Sequence, residues 1–271
     1  MKRLVLLAVA LCVVLTGTMA HAGKIEDIKA RGALVCGVKD STVPFGYIDE
    51  QTKQVVGFDI DICKAVADKL GVKLELKTVT SATRIPMLTQ GSVDMVAATM
   101  THKFERDDVI DFSITYFMDG QKLLVKKGGA VKSAADLKGK KVATAKGSTS
   151  EKNIKAAQPD ATVVSFDEYP QAFLALKQGK AEAVTTDSTI LLGLRNSDPE
   201  PEKWEIVGDY ISPEPYGLGL AENDSKFRDL VNRTLVDLWN SGEYVKIYDK
   251  WFGKDTKYYL PLTWKMETWP Y

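Results

Sequence analysis

The sequence predicts an α/β protein of two lobes, each a mostly parallel sheet flanked by helices, joined by two crossover segments. Three observations carry this. Strand-like and helical runs alternate through both halves, a pattern that builds parallel sheets with helices on both faces. The halves also contain a gap-free internal repeat: Leu88-Thr89-Gln90-Gly91-Ser92-Val93-Asp94-Met95-Val96-Ala97-Ala98-Thr99 lies over Leu176-Lys177-Gln178-Gly179-Lys180-Ala181-Glu182-Ala183-Val184-Thr185-Thr186-Asp187. A repeated supersecondary unit implies two copies of one architecture. Finally, the amphipathic helices at 224–241 and 243–252 need an apolar sheet to cover, and the first lobe is the simplest place for them, so the chain crosses between lobes twice.

In chain order, residues 1–22 read as a secretory signal peptide cleaved after Ala22. Lys2 and Arg3 form the basic start, Leu4–Leu15 the apolar run, and Ala20-His21-Ala22 a small-residue cleavage site. The run is shorter than the roughly 18 residues of a spanning helix, so an exported, soluble protein is expected. Removing Lys2 and Arg3 leaves 34 of the 36 basic residues against 36 acidic ones, a net charge of −2. That balance, with no basic stripe, argues against a nucleic-acid partner. Cys36 and Cys63 remain; an exported chain permits a bridge between them, and two buried thiols fit the sequence equally well.

Helices are expected at 23–31, 58–70, 85–90, from 148 to about 157, and at 171–178 and 188–195. Strands are expected at 34–38, 72–79, 93–97, 142–145, 162–166, 181–186, 204–207 and 216–220. Gly71, Gly91 and Gly179 stop the elements before them. Asp59 and Asp61 form a D-x-D pair, but carboxylates at a helix start are explained by capping and the helix dipole, and no metal is expected. Residues 211–216, with Pro213 and Pro215, have the composition of a crossover. The boundaries expected are 23–120 with 212–253 for lobe I, 121–211 for lobe II, and 254–271 for an aromatic tail packed along a lobe surface.

The candidate site lies beyond the strand at 93–97, where Thr99, Thr101 and Arg106 crowd together. In open α/β sheets ligands bind beyond the carboxyl ends of strands, and an Arg there can grip a carboxylate bidentately. The repeat places Asp187 at the strand end equivalent to Thr99. A cation from one lobe and an anion from the other would suit an α-amino acid. His102 is assigned no role.

These motifs resemble the extracellular solute-binding proteins of ABC importers for polar amino acids. The resemblance rests on Val43-Pro44-Phe45-Gly46-Tyr47, Gly57-Phe58-Asp59-Ile60-Asp61, Thr99-x-Thr101 with Glu105-Arg106, and Gly120-Gln121-Lys122-Leu123-Leu124-Val125. Thr80-Ser81-Ala82-Thr83-Arg84-Ile85-Pro86 and Gly147-Ser148-Thr149-Ser150-Glu151 are most similar to the glutamate/aspartate-binding branch. The resemblance implies the two-lobed, type II periplasmic-binding-protein fold, a periplasmic monomer, an inner-membrane permease as partner, no cofactor and no catalysis. It further implies that Arg106, with Thr101, takes the α-carboxylate, while the Thr99 carbonyl and Asp187 take the α-ammonium. Lys39, Ser81 and Arg84 would hold a side-chain carboxylate, and Ser148 and Thr149 offer a helix N-terminus. Phe45 or Tyr47 would wall the cleft. The branch has Arg at the position of Lys39 and His at that of Tyr169, so glutamine and asparagine stay open as ligands. An enzyme on the same fold, a dehydratase, is the rival reading. It lacks a nucleophile–histidine set, and Glu151, its one arguable acid, is better explained as a cap.

Overall fold

The computed structural model describes residues 23–268. The signal-peptide reading and the tail residues Trp269 and Tyr271 lie outside the described residues. The chain opens with α1 (Lys24–Arg31) and β1 (Ala33–Val38). A small antiparallel sheet of β2 (Ser41–Thr42), β3 (Gly46–Ile48) and β4 (Val55–Val56) follows. Then come α2 (Phe58–Leu70), β5 (Lys73–Thr78), α3 (Arg84–Thr89), β6 (Met95–Ala97), the single turn α4 (Phe104–Asp107), β7 (Asp111–Phe112) and the long β8 (Phe117–Lys126). The second half runs β9 (Lys141–Ala145), α5 (Thr149–Ala157), β10 (Thr162–Phe166), α6 (Tyr169–Lys177), β11 (Ala183–Asp187), α7 (Ser188–Asn196) and β12 (Trp204–Val207). It ends with β13 (Pro213–Tyr216), β14 (Gly219–Leu220), α8 (Ser225–Ser241) and α9 (Glu243–Phe252).

The strands form two main sheets, ordered β5-β1-β6-β14-β7 and β10-β9-β11-β8-β12, with β13 alongside β8. In each sheet the first three strands are parallel, and the repeat read from sequence sets β6 and β11 in the same place. Both sheets are mixed, because β14 and β8 enter antiparallel to their neighbours. This follows from connectivity: a strand that reaches a sheet from the other lobe is free of the helix crossover that imposes parallel order. The two segments that join the sheets pair with each other, Pro213 against Gly120 through Tyr216 against Phe117.

Alternation along the strands divides the core. Leu34, Cys36 and Val38 pack with Ile62 and Val66 of α2, Val231 and Leu235 of α8, and Tyr248 and Phe252 of α9. Val35 points the other way, toward Leu88, Val96 and Ile110. The second sheet has the same two-sided burial, with Leu124, Ala143 and Val184 under α6 and α7, and Leu123, Val142 and Ala183 under α5. Each fully buried large apolar side chain contributes about 1.5–3 kcal/mol. The tail lies on the first lobe: Trp264 stacks near Trp239 at 5.6 Å, and Met266 is buried.

Cys36 of β1 is bonded to Cys63 of α2, their Cα atoms 6.5 Å apart and both side chains buried. The bridge closes a loop of 27 residues that includes the small sheet and the start of α2. Replacing both cysteines by Ala should cost about 3 kcal/mol through the freed chain entropy, read as a lower urea midpoint for the variant than for the oxidised protein.

Candidate functional site

The carboxyl ends of β1, β6, β9 and β11 meet between the lobes. Thr99, two residues beyond β6, has a left-handed backbone at φ 46°, a conformation that costs a β-branched residue and is held here by neighbours. Its N–H donates to Asp59 Oδ2 at 3.0 Å, and its carbonyl accepts from Arg84 Nη1 at 3.1 Å. Asp59 also accepts from the Tyr116 hydroxyl at 2.7 Å. Burial pushes its carboxyl up to about 7, so near neutrality it holds Thr99 while only partly ionised.

Arg84 and Arg106 are buried, 2% and 7% exposed. Arg84 Nη1 donates to the Ala98 carbonyl at 2.5 Å as well as to that of Thr99, and Arg106 Nη1 donates to the Thr101 carbonyl at 2.5 Å. Among the described residues neither guanidinium has a carboxylate oxygen within 4.0 Å, and Arg84 Nε has no partner. Burial lowers the pKa of both; for Arg106 the nearby charge of Arg84 is the next cause.

The opposing carboxylates are Asp187 and Glu214. Asp187, last residue of β11, accepts from the Tyr216 hydroxyl on Oδ2, while Oδ1 is buried without a partner. Burial, then the charges of Glu214 and Asp119, hold its pKa well above the usual carboxylate range. Glu214 is fully buried on β13. Its Oε2 accepts from Thr101 and, at 2.8 Å, from Thr149, so it joins the two lobes from the crossover itself. Asn153 and Ser212 occupy its other oxygen at 2.9 and 2.5 Å.

Lys39 is fully buried just beyond β1. Its ammonium lies 3.0 and 3.1 Å from the two carboxylate oxygens of Glu168, and 5.9 Å from the Tyr169 ring centre. Tyr169 is itself 4% exposed. Burial, with the Asp187 charge next, raises its phenol to about 12, so it is a donor at neutral pH. Ser81 is buried in the turn before α3.

Several expectations need correction. Phe45 does not wall the cleft; it is buried in an aromatic cluster, with ring centres 5.0 Å from Phe117, 5.4 Å from Phe252 and 5.7 Å from Tyr216. Tyr47, half-buried on β3, packs edge-on to Trp251 of α9 at 6.2 Å. Ser148 and Thr149 do stand at the N-terminus of α5, as expected; the Ser148 hydroxyl caps that helix, donating to the Ala145 carbonyl at 2.7 Å and accepting from Glu151 N at 3.2 Å. Lys39 meets a protein carboxylate rather than standing free. Neither Asp59 nor Asp61 caps α2, whose N-cap is Gly57. Two residues are about 200° apart on a helix, so Asp59 turns inward while Asp61 accepts from Lys250 and Trp251, each at 2.7 Å.

Glu168 and Glu214 were missed by the sequence reading. Glu168 had a signal: the offset that sets Ser81 over Tyr169 sets Thr80 over Glu168. Glu214 had none beyond its place between two prolines. No group of three or more His, Cys, Asp or Glu side chains arranged for a metal occurs among the described residues.

A sequence model for bacterial extracellular solute-binding proteins, family 3, matches residues 34–254. The chain belongs to that family. It is 43% identical over 232 residues to the ABC transporter glutamine-binding protein of Bacillus subtilis, covering 84% of each chain. It is 36% identical over 247 residues to the glutamate/aspartate import solute-binding protein of Salmonella typhimurium, covering 87% of this chain and 82% of that one. Among solved structures, an ancestral arginine-binding protein bound to glutamine superposes with a TM-score of 0.79 at 43% identity, covering 83% of this chain and 99% of that one. The two-lobed type II fold of these solute-binding proteins is therefore the fold of this chain.

Within this family member, Asp59 is the buried hub of lobe I. Asp59→Ala would strand the Thr99 N–H and the Tyr116 hydroxyl without water, costing about 2–4 kcal/mol. Chemical denaturation of the unliganded variant should show that loss.

Proposed function

We propose that the protein is the periplasmic binding component of an ABC importer and captures an acidic L-amino acid, glutamate or aspartate, by hinge closure. The observation that carries this is the pair of buried guanidiniums with only carbonyls as partners. A buried cation without a counter-charge is costly, and two carboxylates on one ligand would relieve both. In this reading Arg106 and Thr101 take the α-carboxylate. Asp187, through its unpartnered Oδ1, and the Thr99 carbonyl take the α-ammonium. Arg84 takes the side-chain carboxylate, with Ser81 and Tyr169 as further donors and Lys39 behind them. Thr149 joins the site through Glu214, and Ser148 shapes the start of α5. With both oxygens of Glu214 occupied by Thr101, Thr149, Asn153 and Ser212, two guanidiniums and Asp187 are left to match a ligand with two carboxylates and one ammonium.

The lobes in this reading are 23–120 with 212–253 and 121–211, acting as a monomer after removal of residues 1–22. An inner-membrane permease would receive the closed form. Charge-assisted bonds of about 1.5–3 kcal/mol each supply the roughly −8 kcal/mol of a micromolar site, after deduction of closure costs. Glu151 serves α5 in this reading, accepting from Gly147 N at 3.0 Å and pairing with Lys155 at 2.9 Å, which leaves the dehydratase without its acid. A second reading, glutamine, is favoured by the commitment of Lys39 to Glu168 and by the higher identity to the Bacillus subtilis relative.

Calorimetry on protein unfolded and refolded to remove carried-over ligand decides between them. Glutamate or aspartate should bind and the amides should bind more weakly; the reverse order would establish the second reading. Arg84→Met should weaken the acids by about 10- to 100-fold and the amides less. Asp187→Asn should weaken all four ligands alike, because the α-ammonium is common to them.

The pH dependence has a definite sign. Burial, opposed by Glu168, lowers the Lys39 pKa to about 8, so its charge is lost as pH rises through that value. An anionic side chain nearby favours the charged form, so binding should take up a proton near pH 8. Acid affinity should fall between pH 7 and 9 in wild type and stay flatter in Lys39→Met, as followed by fluorescence titration.

A further inference from the structure

Lys39 and Glu168 come from different lobes. Lys39 extends β1 of the first sheet, and Glu168 stands at the N-terminus of α6 in the second. The ammonium is wholly buried and the carboxylate side chain is 17% exposed. Ser41 Oγ adds a third donor to Glu168 Oε2 at 3.3 Å. An ammonium has three N–H donors, and the two bonds to Glu168 leave one of them over. The pair can therefore form only when the lobes meet, and it still leaves Lys39 a donor for something else.

The charge count gives the pair its consequence. Arg84, Lys39 and Glu168 together carry a net +1, which one ligand carboxylate neutralises. Without Glu168 the same interior would carry +2; without Lys39 it would carry none and would face the ligand with a carboxylate. We propose that Glu168, a residue acting through Lys39, is the specificity-determining residue that sets how strongly the protein discriminates a side-chain carboxylate from a side-chain carboxamide. This rests on the reading that the Arg84 and Lys39 end of the cleft receives the ligand side chain. By holding Lys39, Glu168 offers both a cationic donor and an anionic acceptor, the combination a carboxamide uses, and so narrows the preference for the acid. Discrimination of this kind is a difference between two affinities, set as much by the repulsive group as by the attractive one.

Glu168 also has a local task, since its N–H donates to Gln171 Oε1 at 3.1 Å in the first turn of α6. A residue with that task alone would change melting temperature and move both affinities together. The ratio of the glutamine Kd to the glutamate Kd is insensitive to it, and is the quantity to measure.

Calorimetric titration with L-glutamate and L-glutamine on the mature full-length protein provides the test. Glu168→Gln should raise the ratio by about tenfold, the equivalent of 1.4 kcal/mol. Lys39→Met should lower it by at least as much. Glu168→Asp should return it toward the wild-type value. If Glu168→Gln does not fold, the opposite sign expected for Lys39→Met still tests the proposal. An unchanged ratio in both variants, with the two affinities falling together, would overturn it and leave the pair as a contact of the closed form. Wild-type protein that binds neither ligand would overturn the acidic and the amide readings, and this inference with them.

Discussion

The interior of this protein is organised around the cost of burying charge. Arg84 and Arg106 have given up water for backbone carbonyls alone. A carbonyl dipole offsets part of that cost but does not neutralise a cation. The surrounding residues limit the deficit: Asp59, partly ionised near neutrality, anchors the Thr99 turn that supplies Arg84 with carbonyls, and Glu214 lies close enough to Arg106 to support its charge. What remains is an interior with unmet demand, where binding energy comes from completing the protein's own electrostatics.

That deficit can exist only because packing elsewhere supports it. Each lobe buries apolar side chains on both faces of its sheet, and the disulfide ties α2 to β1, the strand that leads into Lys39. The strands end where the layers do, so polar side chains gather at their carboxyl ends without disturbing the core. Glu214 stands apart from this scheme. It lies on the crossover and accepts from Thr101 on one side and Thr149 on the other, so it couples hinge to cleft within one side chain.

Element positions were legible because the hydrophobic period, the glycine stops and the repeat all agreed; α2, α9, β10 and β12 fall on their expected residues. Thr99 and Asp187 could be picked out because they sit at repeated strand ends, and Arg106 because it follows closely beyond one of them. The aromatics could not be placed so easily. Phe45 and Tyr47 are both compatible with a cleft wall, and which way each points depends on how the short antiparallel sheet of β2, β3 and β4 packs, a tertiary matter. The inward turn of Asp59, and the pairing of Lys39 with Glu168 across 129 positions, depend on the tertiary arrangement. Sequence carries the charges but not their partners.

Two glycines face the opposite lobe. A Cβ on Gly193 of α7 would stand 2.0 Å from the Val43 carbonyl oxygen, and one on Gly147 would stand 2.8 Å from the Ala82 Cα. At both places backbone meets backbone with no side chain between. In any hinged device the hinge sets the path, but the end of travel is set by whatever touches first. Here two bare stretches of main chain touch, a stiff surface compared with a long side chain. Under the hinge closure proposed above, a side chain at either position would hold the lobes apart, so the bare backbone at these two places is what lets them approach as closely as they do.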